Sequence, residues 1–134
     1  MDLYTRAGFA KEIGADLFIS LHSNANNSSS VTGTQVFYSN DNNVTLKSGL
    51  NSSKLAKSLV DNLSSVMNTK NRGISSSEFV VVKYNTVPAV LIELGFMTNP
   101  TELSKLTDAT YQKKVGDAIF NTVTEIFKTY PTGR

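Results

Sequence analysis

Apolar residues in this chain recur first at every third or fourth position and then at almost every position, and the two periods keep exchanging toward the C-terminus. Leu3, Ala7, Ala10 and Ile13 lie at helical spacing, and Gly14 stands where that helix would stop. Leu17 to Leu21 is apolar apart from Ser20, which predicts a strand covered on both faces. The stretch "SNANNSSSVT" has no period and predicts a loop, after which "GTQVFYS" regains strand character through Val36, Phe37 and Tyr38. Leu55, Leu59, Leu63 and Val66 then mark an amphipathic helix inside "LNSSKLAKSLVDNLSSVMN". "FVVVK" and "AVLIEL" predict two further buried strands, with Pro88 tolerated at the start of the second. In "TNPTEL" the order Asn99, Pro100, Glu102 suits a helix start, as cap, first helical residue and third. A final helix is expected from about Asp108 to Tyr130, with Tyr111, Val115, Ile119, Val123 and Ile126 on one face.

Helices alternating with strands imply an α/β fold, a mixed and mostly parallel sheet sandwiched between two helical layers. With 134 residues the chain reads as a single domain, 1–134, with no internal boundary. A net charge of +2 is too small to argue for nucleic acid. No apolar stretch approaches a membrane span, and "MDLYTRAGFAKEIGA" lacks the apolar centre of a signal peptide, so an export signal is expected outside this segment. Without cysteine there is neither a disulfide framework nor a thiolate metal site.

In such folds ligands gather at the carboxyl ends of parallel strands, and two residues stand there. His22, the only histidine, closes the first strand, and Glu93 sits between Ile92 and Leu94 near the end of another. A carboxylate in an apolar strand must be paired, metal-linked or shifted toward its neutral form. Taken singly, Glu93 could pair with a lysine or cap a backbone group, and His22 could be a hydrogen-bonded strand-end residue. At adjacent strand ends the two together point to chemistry. Asn24 in the following loop and Arg72 beside Gly73 are weaker candidates for substrate contacts, against readings as a turn residue and a solvated arginine.

"ADLFISLHSNA", "GTQVFY" and "PAVLIELGFMTNP", in that order, resemble the zinc-dependent N-acetylmuramoyl-L-alanine amidases of bacterial autolysins and phage endolysins. "DLYTRAGFAKEIG" and "NRGISSSEFVVVK" extend the resemblance over nearly the whole chain. It implies zinc binding by His22, general acid and base catalysis by Glu93, and peptidoglycan as substrate, cut between N-acetylmuramic acid and L-alanine at the cell wall. The family's other two zinc ligands, a histidine and a glutamate, come from a strand and helix ahead of the segment matched here. The resemblance therefore implies an N-terminally incomplete domain with an incomplete ligand set and weak zinc binding. Asp2, Glu12 and Asp16 read as solvated helix or turn residues rather than substitute ligands. An absent first strand would leave a sheet edge free for self-association. The alternative is a non-catalytic remnant that binds cell-wall glycan or a partner protein.

Overall fold

A computed structural model describes residues 1–134. The first helix, α1 (Leu3–Glu12), begins at Asp2, whose carboxylate accepts the Thr5 amide at 2.9 Å, and ends before Gly14 at φ +70°. Strand β1 (Phe18–Asn24) runs three residues past the apolar segment, so His22 lies within the strand rather than at its end. Strand β2 (Thr34–Tyr38) leads to helix α2 (Ser52–Met67), capped by Asn51 at one end and by left-handed Asn68 at the other. Then come β3 (Asn71–Ser76), α3 (Val80–Lys83), β4 (Ala89–Phe96), α4 (Pro100–Leu106) and α5 (Ala109–Thr129).

The sheet order is β1-β4-β2-β3. β1 with β4 and β2 with β3 are parallel, while β2 with β4 is antiparallel, which makes the sheet mixed and mostly parallel as expected. On one face α2 and α5 cover the main core, built from Leu55, Leu59, Leu63, Val90, Ile92 and Val115 among others. On the other face α3 seats Val81 and Val82 against Ala89 and Leu91, and α1 packs beside α3 with Tyr4 and Tyr84 ring centroids 5.3 Å apart.

Four expectations need correction. The first strand is not covered on both faces, since Leu21 on β1 is 54% exposed. "FVVVK" is not a strand: it folds into the single helical turn α3 and its flanks, because burying Val81 and Val82 over β4 outweighs the strand preference of β-branched residues. The strand in this region is instead "NRGISS", an outer strand that contributes one core side chain, Ile74, and so carries no apolar signature. In α2, Val66 is exposed and Met67 takes the buried position. The predicted helix start holds, with Asn99 accepting the Glu102 amide at 3.0 Å and Pro100 in the first turn.

Candidate active site toward the carboxyl ends of two parallel strands

Alternation along β4 turns Val90 and Ile92 into the main core and Ala89, Leu91 and Glu93 toward the face that α3 covers only in part. Glu93 is 8% exposed, and its Oε2 is buried with no hydrogen-bond partner. Burial alone pushes its carboxyl above the ordinary range. Of the outcomes open to a carboxylate in an apolar strand, pairing is absent and a shift toward the neutral form is present.

The residue opposite Glu93 on the parallel neighbour is His22, its Cα partner in the ladder, with an exposed ring. The ring Nε2 lies 3.1 Å from Oγ of Ser20, a buried residue two positions earlier on the same face. On the other side of Glu93 its antiparallel Cα partner is Gln35, whose amide donates to Ser75 Oγ at 3.1 Å. A polar row thus crosses four strands: His22, Glu93, Gln35, Ser75. A cleft of about 130 Å³ opens over one end of this row, where His22, Glu93 and Arg6 meet an apolar wall that includes Leu3, Phe79 and Leu91.

The chain's other buried acid is Glu102, and it shows what a structural carboxylate does here. It accepts the Phe96 amide at 2.9 Å and the Gly33 amide at 3.1 Å, tying α4 to the end of β4 and to the loop before β2. Every apparent need of that carboxylate is met by backbone; Glu93 has no such role.

Asn24 and Arg72 lie outside the cleft. The ladder is irregular between His22 and Asn24, and Asn24 Oδ1 accepts the Ala25 amide at 2.8 Å, a local turn contact. Arg72 donates to the Thr32 carbonyl at 3.2 Å and lies over the Phe96 ring, 5.5 Å from its centroid. Both stand at the same open end of the sheet as the cleft, Asn24 closing β1 and Arg72 opening β3. Arg6, Gln35 and Ser75 are the polar neighbours that the sequence reading did not single out. Arg6 left a signal, since it falls within the apolar stripe of the first helix, three residues after Leu3 and four before Ala10. Gln35 and Ser75 left none without the strand pairing.

No group of three or more histidine, aspartate or glutamate side chains converges on one point. Asp2 is occupied by Thr5, and Asp16 pairs with Arg134 at 3.1 Å. The donor set at the cleft is one imidazole beside one carboxylate with an unpartnered oxygen, which fits a zinc centre as one ligand and one proton carrier and falls short of the three protein ligands a catalytic zinc takes.

The sequence matches the family described as N-acetylmuramoyl-L-alanine amidase over residues 1–125. The chain belongs to that family. It is 38% identical over 117 residues to the N-acetylmuramoyl-L-alanine amidase LytC of Bacillus subtilis, covering 87% of this chain and 23% of LytC. Against the probable cell wall amidase LytH of Staphylococcus epidermidis the identity is 33%, over 87% of this chain and 37% of the relative. Among solved structures, the N-acetylmuramoyl-L-alanine amidase of Clostridium difficile 630 superposes with a TM-score of 0.84 at 31% identity, over 96% of this chain and 66% of that one. The chain therefore spans about a quarter to a third of these curated relatives' length, and the amidase fold extends over nearly all of it.

Proposed function

We propose that the domain to which these residues belong hydrolyses peptidoglycan at the amide between N-acetylmuramic acid and L-alanine, outside the cell at the wall. The observation that carries the reading is the juxtaposition of His22 with a buried Glu93 whose Oε2 has no partner, at the carboxyl end of two parallel strands. Family membership and the names of the relatives support the substrate and the wall as the place of action. No helix is long and apolar enough to cross a membrane.

In this reading His22 would hold zinc, and Ser20 Oγ, 3.1 Å from the ring Nε2, fixes the ring's orientation. Zinc held there would act as a Lewis acid on the scissile carbonyl. Glu93 is the proton carrier. Its burial raises its proton affinity above that of an ordinary carboxylate, and Oε2 takes a proton from the water that attacks the carbonyl carbon. When the C–N bond breaks, the same oxygen returns the proton to the amine of L-alanine, a step an amide needs because an amide anion is a poor leaving group. The products are the lactyl carboxylic acid on the sugar and a peptide with a free amine. Asn24 and Arg72 would meet parts of the substrate farther from the scissile bond, at the same open end of the sheet.

The test is a pair of substitutions in a domain with a full ligand set. Glu93→Gln keeps shape but carries no proton, so amine release from peptidoglycan should fall by about a hundredfold or more while zinc stays bound. His22→Ala should lose zinc and activity together. If Glu93→Gln releases zinc as fully as His22→Ala does, Glu93 is a ligand and the roles are misassigned. If both variants keep full turnover, neither residue takes part in the chemistry; if the unsubstituted domain with its full ligand set releases no amine, the second reading gains: a remnant that binds wall glycan or a partner through this face without cutting.

A further inference from the structure

Arg6 lines the same cleft as His22 and Glu93 and has no protein partner for its charge. The chain's ion pairs employ Lys57, Lys83, Lys113, Lys128 and Arg134. Arg72 is occupied by the Thr32 carbonyl and the Phe96 ring, and Lys54 donates to the Gly49 carbonyl. Arg6 enters no ion pair, side-chain hydrogen bond or cation–π contact, although it is half-buried. The nearest acid on its own helix, Asp2 one turn earlier, spends both carboxylate oxygens on Thr5. The acid across the cleft, Glu93, owes its raised pKa to burial, with no opposing pull from a cation.

A half-buried guanidinium without an acceptor costs stability, and the helix that carries this one is held in place. Buried Ala7 and Ala10 seat α1, and the Tyr4–Tyr84 contact pins its first turn to the end of α3. Arg6 lines a cleft whose walls are otherwise largely apolar, a setting that strengthens a charge-assisted hydrogen bond. The cleft holds about 130 Å³, equivalent to roughly four waters. That is space for a carboxylate and the atoms bearing it.

We propose that Arg6 is a specificity-determining residue that takes a carboxylate of the wall peptide in a bidentate pair, fixing the peptide beside Glu93. This rests on the reading of the site as one for muramoyl peptides, and adds that the peptide must be acidic next to the scissile amide. Lysine in place of Arg6 keeps the charge but loses the planar fork, so part of the preference goes with it.

The test is calorimetric titration of this chain with N-acetylmuramoyl-L-alanyl-D-glutamic acid and with its bis-amide. The acid should bind about tenfold tighter or more, and added salt should narrow the gap. Arg6→Gln should remove the preference by weakening the acid while leaving the amide's affinity unchanged, and Arg6→Lys should fall between. Equal binding of acid and amide by the unsubstituted chain overturns the role of Arg6 and leaves the site reading standing, an outcome that does not depend on any variant folding. Retention of the preference in folded Arg6→Gln overturns it as well. Binding of neither ligand overturns both the role and the reading on which it rests.

Discussion

If Glu93 is kept for chemistry, it should cost the fold stability, and its replacement should show that cost with a defined pH dependence. The side chain is 8% exposed and one oxygen lacks any partner. A buried polar atom left unsatisfied costs about 1–3 kcal/mol, and more when charged. Glutamine matches the shape and removes the charge, though its amide inherits part of the unmet hydrogen bonding, so Glu93→Gln should stabilise the chain by about 1–2 kcal/mol at neutral pH. For a chain of this size that is a rise of roughly 3–8 °C in Tm. The sign follows from the raised pKa. Below the ordinary carboxyl range the folded and unfolded chains both carry the proton, and the penalty is absent. It enters as pH climbs through the unfolded value and is complete above the higher folded one. Thermal unfolding followed by circular dichroism at pH 7.5 and pH 3.5 should therefore give a gap between variant and parent that closes in acid. A variant less stable than the parent at pH 7.5, or a gap equal at both pH values, would mean that the carboxylate has a partner and contributes to the fold as Glu102 does.

Gly33 has φ +122°, and a Cβ there would lie 2.7 Å from the Lys70 carbonyl oxygen and 2.8 Å from Arg72 Cγ, so Gly33→Ala should lose about 2–3 kcal/mol in denaturant titration; an unchanged midpoint would refute the close approach. The chain should retain far less than one zinc per molecule after dialysis, because a single imidazole with one carboxylate cannot close a three-ligand site; stoichiometric metal by elemental analysis would show that other donors join them. β1 is an outer strand with Leu21 54% exposed, so sedimentation should show association that grows with concentration, and a monomer at every concentration with a sharp, concentration-independent unfolding transition would count against an adhesive edge.

The parts of this fold that were legible in the sequence are those where local pattern and burial agree. The helix over 52–67 buries Leu55, Leu59 and Leu63 at the spacing read from the chain, Asn99 caps the helix it was expected to cap, and the last helix begins at Asp108 as expected. The failures fall where tertiary position overrides local preference. Three consecutive valines look like a strand, but a short turn lets two of them seal the sheet from above. The true strand, "NRGISS", sits at the edge, where half of the alternation faces solvent and the other half contributes only Ile74 to the core.

The candidate site was legible to the same degree and for a related reason. His22 and Glu93 announce themselves because each breaks an apolar strand at its end, and a polar residue there demands an explanation. Arg6 breaks an apolar stripe too, but an arginine beside a helix face is ordinary when its head reaches water. Only the tertiary arrangement shows that this guanidinium borders a cleft with an unpaired acid across it. The two buried glutamates make the sharper case. Glu102 occupies the third helical position after a cap, where a side chain would be expected to turn back to its own helix start, yet it reaches the Gly33 and Phe96 amides instead. The sequence places Glu93 in an apolar strand and Glu102 at a helix start, but does not show that both are buried. What separates them is how many donors come within reach of each carboxylate: Glu102 is met by backbone from two distant segments, while Glu93 keeps an oxygen free beside an imidazole. That Glu93 is buried and left unsatisfied can be seen only once strands distant in sequence are laid side by side.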